Sequence, residues 1–334
     1  MVTGLLGCLL ALVVWKFGTD WIDIVLPPAA MGPVVALIGL ELAANTVKGG
    51  AIGADLMAVN PEGGLMLSPT METGDILVFA VTLGVAVFGS VLFRGFLSVI
   101  PLLIAMICGY LTAVAAGVVD FSPLQNVSLF TIPDFHIAKF DLNAILTICP
   151  VILVITAEHI GHQVVTSKIV GRDLLKEPGL HRSLLGDNLS TAFSGLFGSV
   201  PTTTYGENIG VMAVTGVYSV QVIAGAAVIS ILMAFIGPLS AFIATIPGDV
   251  IGGITFLLYG MIGTSGLRIL VDKKVDYGKN RNLILTSVVF VAGLSGLTLT
   301  FGAVSITGMT LAAVTAVIIS LLFYLLEKAG LMND

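Results

Sequence analysis

The chain has 334 residues, of which 57% are hydrophobic and only 10% are charged, and its formal net charge is −6. Soluble domains carry about 25% charged residues, so this composition excludes a water-soluble globular protein. The mean hydropathy of +1.07 indicates a surface that faces lipid, where each helical crossing needs about 20 mainly apolar residues.

Eleven apolar stretches are predicted to cross the membrane, which makes the chain an all-α polytopic membrane protein. In chain order they cover approximately residues 1–16, 29–47, 75–93, 96–118, 142–162, 186–200, 203–216, 218–245, 249–267, 283–301 and 305–326. The sixth and seventh are short and rich in Gly, Ser and Thr. Cys8, Cys108 and Cys149 lie in apolar stretches without metal-ligand spacing, so we expect small buried hydrophobic residues rather than a disulfide framework.

Basic and acidic residues occupy alternate connections between the predicted spans. Basic residues are concentrated in two of them, 168–182 and 268–281, and the positive-inside rule places both in the cytoplasm. The opposite connections are acidic and contain Asp55, Glu62, Glu72, Asp75, Asp120, Asp134 and Asp141, balanced by Lys48 and Lys139. With eleven spans, this pattern predicts a cytoplasmic C-terminus and an outer N-terminus.

The fifth span, LNAILTICPVILVITAEHIGH, contains two ionisable residues on one face. Glu158 and His162 are four residues apart, so their side chains can meet on a helix. A carboxylate at the bilayer centre costs about 2.5–3.5 kcal/mol on insertion scales, which predicts that Glu158 faces the protein interior. The alternative is a position at the water-exposed cytoplasmic end of the helix. His159 points about 100° away and is expected to be a packed or interfacial residue.

The seventh span, GSVPTTTYGENIGVMAVTG, is predicted to be broken. Pro201 and Gly206 interrupt the helix, and residues 202–205 are predicted to form a short β-strand within this broken span. Carriers use broken spans to direct helix N-termini towards a substrate near the midplane, and Glu207 would lie near such an N-terminus. A re-entrant loop or exposed connection is the alternative. Two carboxylates and a histidine predict a site for a small polar solute, with one group able to carry a proton.

These residues resemble the signature of the nucleobase–ascorbate transporter family, which is Gln or Glu, Asn, any residue, Gly, four residues and Thr. Here the signature is Glu207, Asn208, Gly210 and Thr215, within TTYGENIGVMA. The segments AEHIGH, DLLKEPGLHRS, PPAAMG, GSVLFRGFL, LLYG and KVDY are similar to the bacterial uracil permeases of this family. The resemblance extends from residue 1 to residue 326.

The resemblance implies a fold of fourteen spans in two inverted seven-span repeats, divided into a core domain and a gate domain. The core would cover residues 1–28 and 142–245, the gate 29–141 and 246–326, and a cytoplasmic tail 327–334. The first span resembles the fourth span of the family. We therefore expect three spans to be absent, including the strand that would pair with residues 202–205, and a transport-incompetent fragment is one alternative.

The resemblance also implies a proton-coupled uracil symporter of the inner membrane, with protons as the coupling ion and no other cofactor. Its substrate contacts would be Glu158, Glu207, Gly206, Tyr205 and Tyr259. Glu158 or His162 would carry the proton. The resemblance implies a homodimer formed through the gate domain, in membrane lipid and without a nucleic-acid partner. Carriers of purines, xanthine or other pyrimidines are the alternatives.

The segment EHIGH also permits comparison with zinc hydrolases. The motif HExxH places two histidines four residues apart with Glu beside the first, whereas His159 and His162 are three apart and Glu158 precedes both. The sequence contains no third ligand cluster, and a zinc site needs ligand number and geometry together. The sequence therefore predicts neither a metal site nor an enzyme.

Overall fold

The computed structural model describes residues 1–47, 57–59, 65–67, 72–302 and 304–332, without the side chains of 44–47, 57–59, 65–67 and Glu207. Lys48, Asp55 and Glu62 of the first acidic connection lie outside the described residues. The helices are α1 (Val2–Phe17), α2 (Ile22–Val25), α3 (Pro28–Val47), α4 (Thr73–Leu92), α5 (Pro101–Ala116), α6 (Leu142–Ile148), α7 (Val151–Val170), α8 (Leu180–Leu196), α9 (Gly206–Thr215), α10 (Val220–Met233), α11 (Gly237–Ala244), α12 (Gly248–Asp272), α13 (Asn280–Leu294) and α14 (Gly308–Lys328). The strands are β1 (Met57–Val59), β2 (Leu65–Leu67), β3 (Thr298–Phe301) and β4 (Val304–Thr307), which form two antiparallel hairpins.

Apolar helices dominate the described residues, as predicted. Four stretches are both long and apolar enough to cross a membrane, namely Thr73–Leu92, Leu142–Val170, Gly248–Asp272 and Gly308–Lys328. Five further apolar helices of 10–17 residues are Val2–Phe17, Pro28–Ala43, Pro101–Ala116, Val220–Met233 and Asn280–Leu294. This confirms a mostly helical protein with several apolar helices, while the count of eleven spans and the inverted repeat stay predictions. The three cysteines are free and half-buried.

The predicted tenth span, 283–301, is wrong at its C-terminal end. Helix α13 ends at Leu294, and Gly296 follows with a φ of +71°, a conformation that glycine adopts without steric cost. Residues 298–301 then form strand β3, which pairs with β4 in register Thr298 to Thr307. The β-branched and aromatic residues of TLTF and VSIT favour a strand, so a hairpin precedes α14.

Two other predicted spans also differ from the structure. The sixth begins at Leu180 rather than residue 186, because the polar first turn of α8 is helical and not part of the connection. The eighth, 218–245, is divided into α10 and α11. At this break the backbone pairs elsewhere, since the carbonyl of Phe235 accepts the N–H of Thr131 at 3.0 Å. Pro238 then lies in the first turn of α11, where its missing N–H costs nothing.

The described residues form two compact units. The first contains Met1–Glu41, Phe135–Gly210 and Met261–Asp334, and the second contains Leu42–Asp134 and Val211–Gly260. The predicted core and gate domains have other boundaries and stay predictions.

In the first unit, small residues allow helices to pack closely. Helix α1 packs on α8, and a Cβ added to Gly7 would collide with the side chain of Asn188, which is buried at 2% exposure. Small residues at such contacts let helix backbones approach, which is the main source of helix association in lipid. A large apolar cluster lies beside this contact and includes Val34, Leu37, Leu184, Leu285 and Val289.

The second unit uses the same kind of contact. Helices α4 and α5 pack together along their length, and a Cβ on Gly109 would collide with Thr82 of α4. Gly253 of α12 approaches the same threonine. Thr82 is fully buried and donates its hydroxyl to the carbonyl of Val78 at 2.7 Å, so its polar group is satisfied within its own helix.

Candidate membrane carrier site

Glu158 lies inside the longest apolar stretch of the described residues. Helix α7 continues eight residues beyond the predicted end at residue 162 and stops at Val170, where Gly171 takes a left-handed φ of 72°. Glu158 is therefore near the middle of the stretch Leu142–Val170 and is only 8% exposed. This burial agrees with an interior-facing carboxylate and not with a water-exposed helix end.

The predicted break before Glu207 is present, but the predicted strand is not. Helix α8 ends at Leu196, residues 201–205 have no regular secondary structure, and α9 begins at Gly206. A strand needs a hydrogen-bonded neighbour, and none of the described strands pairs with this segment. Residues 201–204 are nevertheless half-buried.

Side chains replace the missing strand partner. Thr191 of α8 is buried at 2% exposure, and its hydroxyl lies 3.2 Å from the carbonyl and 3.3 Å from the N–H of Thr202. The hydroxyls of the two threonines are 3.0 Å apart. Irregular backbone at membrane depth requires such satisfaction by the protein or a cavity. Thr191 therefore holds the broken segment to α8.

His162 joins α7 to the start of α9. Its Nδ1 lies 2.7 Å from Thr204 Oγ1, within hydrogen-bond distance. A Cβ added to Gly206 would lie 3.2 Å from His162 Nε2, which is tight, so the absence of a side chain at position 206 permits this approach. His162 and Glu158 are one turn apart on α7, so the structure brings Glu158, His162, Thr204 and Gly206 into one region.

The helix that carries the signature begins where predicted. Glu207 is the second residue of α9, and a helix N-terminus favours an anionic group because its first N–H groups are unpaired and the helix dipole is positive there. Asn208 and Gly210 are exposed on α9. The hydroxyl of Thr215, the last residue of the helix, donates to the carbonyl of Val211 at 2.8 Å and accepts from the Val217 N–H at 3.3 Å.

The two tyrosines differ in position. Tyr205 is 61% exposed and directly precedes α9. Tyr259 is half-buried in α12, within the second compact unit. Their contacts with a substrate stay predictions.

Sequence reasoning missed a polar cluster around His159. This histidine is buried, as expected for a packed residue, at 1% exposure, yet its Nε2 lies 2.5 Å from Ser183 Oγ and its Nδ1 3.5 Å from Asp187 Oδ2. Gln163 donates to the same serine hydroxyl at 2.6 Å. The available signal was the spacing of Ser183 and Asp187, which are four residues apart and share one face of a helix.

The family of the chain is shown by comparison with known proteins. A family model named Xan_ur_permease and described as a permease family matches residues 1–302. The chain belongs to this permease family. The resemblance to nucleobase–ascorbate transporters is therefore confirmed.

Three individual relatives of the chain within this permease family are uracil permeases. The uracil permease of Escherichia coli (strain K12) is 49% identical over 324 residues, which are 97% of this chain and 73% of that protein. The uracil permease of Paenibacillus larvae is 49% identical over 334 residues, covering 100% of this chain and 77% of the relative. That of Bacillus subtilis (strain 168) is 44% identical over 327 residues, or 96% and 73%.

Membership of a permease family makes the chain a membrane transporter rather than an enzyme. Its apolar helices agree with an integral membrane protein. The exposed large apolar side chains, which include Leu9, Val91, Val220 and Val271, agree with a protein surface that contacts lipid or other apolar helices.

Proposed function

We propose that this permease is a proton-coupled uracil symporter of the inner membrane. The observation that carries the proposal is the 49% identity to a uracil permease over 97% of the chain. The buried Glu158 and the contact of His162 with the start of α9 support a binding site at this place.

In the proposed site, the two glutamates bind the edges of the uracil ring. The ring has two N–H donors and two carbonyl acceptors, and an ionised carboxylate accepts hydrogen bonds. Glu158 and Glu207 accept from the ring N–H groups, and unpaired backbone N–H groups in the first turn of α9 donate to a ring carbonyl. Gly206 lets the ring approach this turn, and Tyr205 lies beside it.

A proton accompanies uracil in this proposal. Glu158 and His162 are the first candidates to carry it, because a buried ionisable group lowers its cost in the membrane by changing protonation state. The C-terminus lies in the cytoplasm, as the basic connections indicate. A homodimer through the gate domain, surrounded by membrane lipid, completes the proposed assembly.

Equilibrium binding of radiolabelled uracil to the purified chain in lipid nanodiscs tests this function. We expect Glu158→Gln and Glu207→Gln to weaken binding by about 10- to 100-fold, since a hydrogen bond to a charged group contributes about 1.5–3 kcal/mol. Glu327→Gln is the matched control, because Glu327 is exposed and pairs with Arg281 at 2.8 Å. Failure of the wild-type chain to bind uracil contradicts the proposal. Competition by thymine, xanthine, hypoxanthine and adenine separates uracil from the alternative bases.

A further inference from the structure

The polar cluster around His159 joins α7 to α8 on a different face of α7 from Glu158. It contains Gln163, Ser183 and Asp187. Ser183 Oγ accepts from Gln163 Nε2, and its short contact with His159 Nε2 fixes the orientation of the imidazole. The other ring nitrogen, Nδ1, therefore faces Asp187.

The contact between His159 and Asp187 is incomplete in one respect. Nδ1 and Oδ2 are both buried, and neither has another hydrogen-bond partner among the described residues. Their separation of 3.5 Å is longer than the usual 2.7–3.2 Å of an N–H···O hydrogen bond. Buried polar atoms without a hydrogen bond cost free energy. A proton on Nδ1, carried by the neutral ring or by the imidazolium, makes this hydrogen bond and removes that cost.

The change in charge follows from the chemistry of the two groups. A neutral imidazole beside an ionised carboxylate carries one negative charge in total. One proton taken from water converts the ring to imidazolium, which has a donor on each nitrogen, one towards Ser183 and one towards Asp187. The pair then has no net charge, which is the less costly state in a membrane.

The ionisable groups around this pair are few. On α7 itself, Glu158 precedes His159, and His162 interacts electrostatically with it. The faces that α1 and α14 bury contain no ionisable side chain and consist of Thr3, Gly4, Gly7, Ala11 and Val14 in α1 and Gly308, Leu311, Ala312, Ala313, Ala316 and Ser320 in α14. The first turn of α8 also carries the half-buried His181 and the exposed Arg182.

The charged residues of the other neighbouring elements are exposed or form ion pairs of their own. Lys176 and Glu177, in the turn Leu175–Gly179, are exposed. Asp272 of α12 pairs with Arg268 and with Lys168 of α7.

We propose that His159 and Asp187 form a proton-binding site, oriented by Ser183 and Gln163, and that this pair takes up the proton coupled to uracil in place of the first candidates Glu158 and His162. This rests on the uracil-carrier function proposed above. Protonation removes the net negative charge of a pair whose histidine directly follows Glu158 in the chain, and so reduces repulsion on the carboxylate that accepts a uracil N–H. Coupling between two sites is reciprocal, so uracil binding also favours proton uptake at the pair. Buried Asp and His residues in membrane proteins mark proton relays as well as substrate and ion pathways.

Calorimetry of uracil binding to the purified chain, in buffers of different ionisation enthalpy, measures the protons taken up per uracil. We expect uptake by the wild-type chain and its loss in His159→Gln and Asp187→Asn, with uracil still bound. Asp173→Asn is the matched control, because Asp173 is 51% exposed and pairs with exposed Lys176, and it should retain uptake. Unchanged proton uptake in both pair variants overturns the proposal. Uracil binding by the wild-type chain without proton uptake also overturns it, although the uracil function then stands.

A second measurement needs no uracil. The chain has four histidines, so their carbon-13-labelled ring signals can be assigned one by one, with His159 identified by its loss in His159→Gln. We expect the pH dependence of the His159 signal to differ between the wild-type chain and Asp187→Asn, and to be the same in the wild-type chain and Asp173→Asn. If the wild-type chain binds no uracil, the proposed function fails and this titration alone decides the proton site. A His159 signal whose pH dependence is unaffected by Asp187→Asn overturns the proposal.

Discussion

His162 Nδ1 and Thr204 Oγ1 lie 2.7 Å apart and join the membrane helix α7 to the irregular segment that precedes α9. The contact connects residues 42 positions apart in the chain. It orients the imidazole one turn beyond Glu158 and holds Thr204 two residues before the helix that carries Glu207. A change at either partner is therefore expected to act on the proposed substrate site through the position of α9.

Replacement of Thr204 by valine should weaken uracil binding. Valine keeps the shape of the side chain but removes the hydroxyl, and a typical hydrogen bond contributes about 0.5–1.5 kcal/mol, which corresponds to about 2- to 12-fold in affinity. Binding of labelled uracil to the purified chain measures the effect. Thr112→Val is the control, because Thr112 donates only to the Cys108 carbonyl of its own helix. Equal effects of the two substitutions contradict the assigned role of Thr204.

Replacement of Gly206 by alanine should also weaken uracil binding while the chain still folds. The added Cβ would lie 3.2 Å from His162 Nε2, so the imidazole must move by a few tenths of an ångström and its contact with Thr204 is disturbed. Gly225→Ala in α10 is the control, since a Cβ there meets nothing within 4 Å. The measurements are uracil affinity and the elution profile of the purified variants. Full uracil affinity in Gly206→Ala contradicts the close approach of α7 and α9.

The sequence predicted helix bounds most accurately where the apolar composition of a segment alone determines that it is a membrane helix. Predicted spans 29–47 and 75–93 correspond to α3 and α4 within two residues at each end, because a run of apolar residues bounded by polar ones defines a membrane helix. The break before Gly206 was also predicted, since Pro and Gly act locally on the backbone. The end of α13 was not predicted, because strand β3 also contains apolar residues and the hydrophobic stretch therefore continues beyond the helix.

Long-range packing explains what the sequence did not predict. The contact of His159 with Asp187 depends on how α7 packs against α8, and the spacing within either helix does not specify the partner. The same holds for Thr191, which binds the backbone of Thr202. The partners of His159 and of Thr202 are therefore determined by the tertiary structure and not by local sequence.

Replacement of Gly7 by alanine should destabilise the first unit. The new Cβ would collide with the side chain of Asn188, which donates to the Leu184 carbonyl at 2.8 Å, so α1 must move away from α8. Overpacking of this kind costs about 1–3 kcal/mol. The unfolding temperature of the purified chain measures the loss.

The matched control is Gly84→Ala in α4, where a Cβ meets nothing within 4 Å. Alanine there should be neutral or slightly stabilising, since glycine in a helix interior costs about 0.5–1 kcal/mol relative to alanine. An unfolding temperature that is unchanged by Gly7→Ala contradicts the close packing of α1 on α8.

The connection after α5 contains a carboxyl whose titration is predictable. Hydrogen bonds from the hydroxyl (2.7 Å) and the backbone N–H (2.8 Å) of Ser122 lower the pKa of Asp120 below its ordinary value. Because the pKa is lower in the folded chain, the associated stability is present above the ordinary pKa and is lost as the pH falls through the lowered one. Ser122→Ala should raise the pKa of Asp120 towards its ordinary value, as measured by carbon-13 NMR of the carboxyl group. Ser98→Ala, whose hydroxyl donates to Gly95, should leave that titration unchanged, and a similar shift in both variants contradicts the assignment.

Glu41 of α3 should stabilise the start of α14. Its carboxylate accepts the backbone N–H of Met309, the second residue of that helix, where unpaired N–H groups and the helix dipole favour a negative charge. Loss of a capping group costs about 0.5–2 kcal/mol, so Glu41→Ala should lower the unfolding temperature measurably. Glu41→Gln, which keeps an acceptor oxygen but not the charge, should lower it less. Glu327→Gln is the control, because exposed ion pairs contribute only about 0–1 kcal/mol. A loss in Glu41→Ala no larger than in the control means that the carboxylate does not cap α14.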